Sequence, residues 1–160
     1  MQRFEQIYAE HHDAVRAYVR RRVAEDAVDD VVSETFLVCW RKLDRVPDDP
    51  LPWLYAVARK TIANHRRKLA RQAPPRAAVG GEPEPLGDGA LAAAFAALSE
   101  RDREVLRLVA WEGLSLREAS VVLGCSAVAG RVRYHRAKSR LASRLEAAVS
   151  FRPEPEGVTR

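Results

Sequence analysis

Apolar residues recur along this chain at helical spacing, and nowhere do they alternate as they would on a strand. Phe4, Ile7, Tyr8, Val15, Tyr18, Val19 and Val23 make one stripe. Val28, Val31, Val32, Phe36, Leu37 and Trp40 make a second, and Trp53, Leu54, Val57, Ala58, Thr61 and Ile62 a third. After a break, Leu91, Phe95 and Leu98 open a short helix, and Val105, Leu106, Leu108 and Val109 line the next. Such patterning restricts the chain to helix-on-helix packing, so the expected fold class is all-α. Turn signals separate the early stripes: Glu25-Asp26 after the first, and Val46-Pro47-Asp48-Asp49-Pro50 after the second. The break itself, residues 73–90, holds Pro74, Pro75, Pro83 and Pro85 with four of the eight glycines, and has no apolar period. It reads as a flexible linker. The Pro-rich residues 150–160 read as a frayed tail. Two small helical domains are thus expected, residues 1–72 and 91–149.

Several function classes find no support. At 160 residues and 47% hydrophobic, the chain can bury a core and is not a disordered tail. Cys39 and Cys125 follow no metal or disulfide spacing and read as small buried hydrophobes. His11 and His12 lack a companion ligand set, so neither a metal nor a cofactor is expected. Asp48-Asp49 reads as a turn device. There is no Ser/His/Asp arrangement, Walker loop or H-E-x-x-H, and an enzyme is not expected. No apolar run is long enough to span a bilayer, and residues 1–20 carry too many charged groups for a secretory signal. A cytoplasmic, reducing compartment is the expected location.

The formal net charge of +5 is mild. Its distribution is more informative, with +3 on residues 1–72 and +4 on residues 99–150. In the second module Ser99 and Asp102 suit a helix N-cap, and Gly113 ends that helix. Ser115 with Glu118 fits a capping box, Gly124 breaks the chain, and Ser126 can cap again. The final helix is strongly basic: Arg131, Arg133, Arg136, Lys138, Arg140 and Arg144 precede any acid. On a helical wheel Tyr134, Ala137 and Leu141 face inward, while Arg131, Val132, His135 and Arg136 face outward near the helix start. A short helix, a glycine turn and a second helix presenting Arg make helix-turn-helix geometry, in which a guanidinium bridges guanine O6 and N7 or clamps a phosphate. His135 is balanced between DNA contact and plain surface.

A second basic cluster lies in the first module: Arg59, Lys60, Arg66, Arg67, Lys68 and Arg71, with His65 among them and Trp53 and Tyr55 upstream. Charge beside flat rings suits a single strand, although a Trp at helical spacing is more often core. Asp26, Asp29, Asp30 and Glu34 form an acidic patch. It reads as a helix N-terminus favouring negative charge, or as a docking face for a basic partner.

These blocks resemble a known family. DDVVSETFLVCWRKL followed by PWLYAVARKTIANHRRKLAR is similar to region 2 of the extracytoplasmic-function (ECF, group 4) sigma factors of bacterial RNA polymerase. LSERDREVLRLVAWEGLSLREASVVLGCS with RVRYHRAKSRL is similar to their region 4. The resemblance implies an alternative sigma factor that binds core RNA polymerase and directs promoter recognition and transcription initiation. Its partners would be the clamp of the largest subunit, the flap of the second-largest, promoter DNA and an anti-sigma factor. Asp29, Asp30, Glu34, Phe36 and Trp40 match the clamp-docking helix. The Leu43–Leu51 loop, with Trp53, Arg59, Asn64, Arg66 and Arg67, matches the part that melts the −10 element and captures a flipped base. Arg131, Val132, His135 and Arg136 match the −35 reader. Gly130, Val128 and Ser120 depart from the family's pattern. LSERDREVLRLVAWEGLSLREAS is also similar to the helix-turn-helix of LuxR-type regulators; there the first module would need strands and a pocket.

Overall fold

The computed structural model describes residues 1–72, 86–87 and 89–150. Among these residues there are seven α-helices and no strand. Most of the expected linker and tail lie outside the described residues.

Helix α1 (Gln2–Arg20) buries Ile7, Val15, Tyr18 and Val19. Helix α2 (Glu25–Arg41) buries Val28, Val31, Val32, Thr35, Phe36 and Cys39. Glu25 and Asp26 form its first turn, where carboxylates complement the helix dipole. They begin the helix, and the turn lies just upstream of them. A single 3-10 turn (Leu43–Arg45) leads through residues 46–50 to α3 (Leu51–Gln72). Pro52 sits in the first turn of α3, where its missing N–H leaves no hydrogen bond unmade.

The second module holds α4 (Ala90–Ala96), α5 (Glu100–Ala110), α6 (Leu116–Leu123) and α7 (Ala127–Ser150). Its starts are capped as their sequence suggests. Ser99 Oγ accepts from the Asp102 amide at 3.1 Å. Ser115 and Glu118 close a reciprocal capping box, whose hydrogen bonds hold the Glu118 carboxyl below its ordinary pKa. Gly124 ends α6 at φ +66°, a left-handed conformation that glycine adopts without strain. Ser126 Oγ then accepts from the Ala129 amide at 3.1 Å. Phe95, Leu98, Val105, Leu106 and Ala137 form this module's core, with Tyr134 and Leu141 packed against it.

Periodicity alone does not reveal that the two modules share a core. Leu108, Leu114, Ala119 and Val122 join the apolar cluster of α1, α2 and α3. Beside that seam lies a buried polar network. Arg22, 4% exposed, donates through Nε to Glu104 at 2.9 Å and through Nη1 to Glu112 at 2.8 Å. Its guanidinium also lies 3.6 Å from the centre of the Tyr18 ring, and Tyr18 Oη donates to Glu104 at 3.0 Å. Burial opposes the Arg22 charge, but Tyr18, Glu104 and Glu112 outweigh it and raise its pKa above the ordinary value. Burial, reinforced by Glu104, raises the Tyr18 hydroxyl as well. Two of the three charged partners come from α5 and its C-terminal turn, so removing any one leaves a buried charge across a module boundary.

Candidate nucleic-acid interfaces

In the second module, α6 crosses α7 closely. Two departures from the family pattern meet at this crossing. Ser120 is 2% exposed and donates to the Leu116 carbonyl at 2.6 Å. Gly130 is buried directly opposite, and a Cβ there would overlap Ser120 Oγ and lie 3.0 Å from Ser120 Cβ. The hydroxyl fills the space that a side chain at 130 would take, so the two substitutions compensate. Val128, the third departure, is 73% exposed and touches neither core.

Beyond the crossing, α7 presents Arg131, Val132, His135 and Arg136 to solvent on its N-terminal half, with Ala137 buried beneath. Not all of the helix's cations are available. Arg140 donates to both Asp102 carboxylate oxygens, at 3.0 and 2.9 Å, and fastens α7 to α5. The other exposed cations of α7 are Arg131, Arg133, Arg136, Lys138 and Arg144.

The first module carries a cleft of about 770 Å³ between α2 and α3. Trp53, Val57, Lys60, Thr61, Asn64, His65 and Lys68 line the α3 side; Lys42 and Arg45 close one end; Asp30 and Glu34 lie on the α2 side. Trp53 is half-buried, with its ring on the cleft wall. Trp53 and Asn64 are thus brought together, but Arg59 and Arg66 are not. They face the second module beside Glu100 and Glu104. Arg66 donates to the Arg22 carbonyl at 2.8 Å and approaches Glu100 at 3.9 Å. Arg67 is exposed and hydrogen-bonded to Asn64. The cations that accompany Trp53 are instead Lys60 and Lys68, with His65, Lys42 and Arg45. Positions 53, 57, 60, 61, 64, 65 and 68 keep one helical period, so a wheel drawn on α3 finds this face.

On the other side of α2, Asp29, Ser33, Leu37 and Trp40 border a groove whose opposite wall is Phe4, Tyr8, His12 and Arg16 of α1. Asp29 is ion-paired with Arg16. Trp40 is 46% exposed and meets Phe4 edge-on at 5.1 Å. Phe36 is 3% exposed and packs against Tyr8 at 4.7 Å, so it forms the floor of the groove. Asp30 and Glu34 are exposed but face the α3 cleft. The five residues of the acidic–aromatic set therefore divide between two faces. Tyr8 and Leu37, 43% and 40% exposed, are surface apolar groups that the set omitted.

Residues 7–72 match the family model for Sigma-70 region 2, and residues 88–141 that for Sigma-70, region 4. The chain is 35% identical over 144 residues to the ECF RNA polymerase sigma factor SigF of Caulobacter vibrioides, covering 84% of this chain and 80% of that protein. The chain belongs to the ECF sigma factors of the sigma-70 family. This sigma factor directs promoter recognition and transcription initiation with RNA polymerase. It is also 31% identical over 168 residues to the RNA polymerase sigma factor NccH of Alcaligenes xylosoxydans xylosoxydans, covering 91% of this chain and 88% of that one. Among solved structures it is similar to CnrH in complex with the cytosolic domain of CnrY. The TM-score is 0.62 at 32% identity, covering 92% of this chain and 90% of CnrH. The sigma factor RpoE from Bartonella quintana shares the fold, with a TM-score of 0.66 at 24% identity. Among the described residues of the sigma factor, no helix is long and apolar enough to cross a membrane.

Proposed function

We propose that this sigma factor divides promoter reading between residues 1–72 and residues 91–149, in the cytoplasm, with the polymerase supplying all the catalysis. Arg131, Val132, His135 and Arg136 read the −35 duplex from the major groove. The capped, glycine-turned α6–α7 pair that exposes them carries this reading. The α2–α3 cleft takes the melted −10 strand: Trp53 offers a stacking surface, Asn64 hydrogen bonds, and Lys60 and Lys68 phosphate contacts. The Leu43–Leu51 loop captures a flipped base, and Arg67 flanks the path. Trp40 and Asp29, on the α1–α2 groove, meet the clamp of the largest subunit, while Asp30 and Glu34 lie on the other face of α2, toward the α2–α3 cleft.

Use of both readers requires the modules to part. The −10 and −35 elements are about 25 base pairs apart, roughly 85 Å of duplex at about 3.4 Å per pair. Modules with a common core cannot reach that far. Separation frees Arg59 and Arg66 from the acids of α5 and lets them join the −10 contacts. The polar seam suits this, because Arg22, Glu104 and Glu112 regain water when it opens. CnrH, solved with the cytosolic domain of CnrY, supports a polypeptide anti-sigma partner for this chain.

The test is reconstitution. Purified chain is mixed with core RNA polymerase, run on gel filtration, and used to transcribe fragmented genomic DNA, with transcript starts sequenced. Co-elution and a common pair of upstream elements are expected. Failure to bind core polymerase, with no inhibitor present, refutes the proposal.

A further inference from the structure

The loop between the 3-10 turn and α3 is held from outside its own sequence neighbourhood. Val46 and Pro50 are buried at its two ends, and Pro47, Asp48 and Asp49 stand exposed between them. The Leu43 carbonyl accepts only a long hydrogen bond from the Val46 amide, at 3.4 Å, and the backbone beyond it runs outside any helix. Arg3, in the first turn of α1, supplies the donors. Nη1 donates to the Leu43 carbonyl at 2.9 Å, and Nη2 donates to the carbonyls of Val46 at 2.6 Å and Pro47 at 3.4 Å. One guanidinium thus spans the loop from its entry to its tip. A planar fork can hold these carbonyls at once, whereas an ammonium cannot hold them in the same fixed geometry. The residue after it, Phe4, packs against Trp40 at the end of α2, so the arm carrying Arg3 is itself anchored. Arg3 lies upstream of residues 7–72, the part that matches the region 2 model, so the family match does not include it.

We propose that Arg3 is a positioning residue for promoter recognition: it ties the Leu43–Leu51 loop to α1 and thereby sets which base the loop accepts. The inference rests on the reading of that loop as the site of base capture. A pocket for a flipped base discriminates through hydrogen bonds of fixed direction, so a tip free to shift loses selectivity before it loses affinity. Arg3 itself need not touch DNA.

The experiment is in vitro transcription with core RNA polymerase from a promoter recovered by start-site mapping, with its −10 element randomised. Four proteins are compared: the natural chain, Arg3→Ala, Arg3→Lys and the double variant Asp48→Ala/Asp49→Ala. Arg3→Ala is expected to bind core polymerase and −35 duplex within about twofold of the natural chain, as a surface substitution does. Its preference at one −10 position is expected to fall on the order of tenfold, since a misplacement of about 1 Å can cost a positioned contact up to a hundredfold. Arg3→Lys should fall between the two. Equal loss of transcription from every library member, with base preference intact, overturns the proposal and leaves Arg3 a purely structural residue. If Asp48→Ala/Asp49→Ala changes preference and Arg3→Ala does not, the loop reads bases but Arg3 does not aim it. If the double variant changes nothing, the base-capture reading fails and the proposal falls with it. Should Arg3→Ala melt early, Arg3→Lys, which keeps the charge, carries the same comparison.

Discussion

Gly130→Ala should destabilise this protein although alanine is the better helix former, and Ser120→Ala should relieve part of the cost. In an ordinary helix interior the exchange gains about 1 kcal/mol. Here the new Cβ would overlap Ser120 Oγ and lie 3.0 Å from Ser120 Cβ and 3.4 Å from its Cα. The hydroxyl could rotate away only by giving up its 2.6 Å hydrogen bond to the Leu116 carbonyl. A buried hydroxyl left unpaired costs about 1–3 kcal/mol. If instead α6 and α7 move apart, overpacking costs a similar 1–3 kcal/mol. Set against the propensity gain, Gly130→Ala should cost up to about 2 kcal/mol. Ser120→Ala alone should be near neutral, exchanging one local hydrogen bond for better propensity. With the oxygen gone only the 3.0 Å approach of the two Cβ atoms remains, so Gly130→Ala should cost less than in the natural chain, with a coupling on the order of 1 kcal/mol. Urea unfolding of the full chain, followed by helical circular dichroism on all four proteins, measures the cycle. The same shift of α7 should weaken −35 duplex binding by Gly130→Ala, and by the double variant less. A Gly130→Ala protein more stable than the natural one, or a coupling below about 0.5 kcal/mol, would refute the reasoning.

Other outcomes follow from the same contacts. Glu104→Ala leaves Arg22 and the Tyr18 hydroxyl without a shared acceptor inside the seam, and should cost on the order of 3 kcal/mol in thermal unfolding; a loss below about 1 kcal/mol would mean the seam is wet. Arg136→Ala should weaken −35 duplex binding by about 1–3 kcal/mol, read by fluorescence anisotropy, while Lys60→Ala should weaken forked −10 DNA and lower its salt slope by about one. An unchanged affinity in the first case, or an unchanged slope in the second, removes that assignment. The Tyr55 hydroxyl, stacked on Tyr18 at 4.7 Å, is pushed up to about 12 by burial, with Glu112 adding to it. Because the folded pKa exceeds the unfolded value near 10, its contribution is complete below about pH 10 and is lost as pH rises through 12. Urea midpoints should hold steady to about pH 10 and then fall, and Tyr55→Phe should lessen that fall, the buried Tyr18 hydroxyl supplying the remainder.

Local chemistry was legible where it stays local. The caps at Ser99, Ser115 and Ser126, the turn at Gly124 and the inward face of Tyr134, Ala137 and Leu141 all depend on residues within a turn or two of one another. Side chains whose partners lie far along the chain were not legible in the same way. Arg140 looks like another DNA-facing cation until Asp102 of α5 is placed beside it. Phe36 looks like a docking aromatic until α1 closes over it. Arg59 and Arg66 belong by spacing to the same basic cluster as Lys60 and Lys68, but a helix turns each successive residue by about 100°. Two faces of α3 therefore serve two different neighbours. Gly130 and Ser120 appear as separate oddities in the sequence, and only the crossing of α6 and α7 makes them one contact.

The sequence by itself determined the all-helical class, the caps that start α5, α6 and α7, the helix-turn-helix and the family. Hydrophobic period, capping chemistry and motif spacing are properties of short stretches. Tertiary structure alone decided which cations face solvent, which are held by acids, and how the modules meet. Arg22, Glu104 and Glu112 lie more than eighty residues apart in part of this network. Nothing in either segment marks the other as a partner. They are paired because packing Leu108, Leu114, Ala119 and Val122 against the first module's core removes water from all three at once. A charge taken out of water must find an opposite charge, wherever along the chain that partner lies.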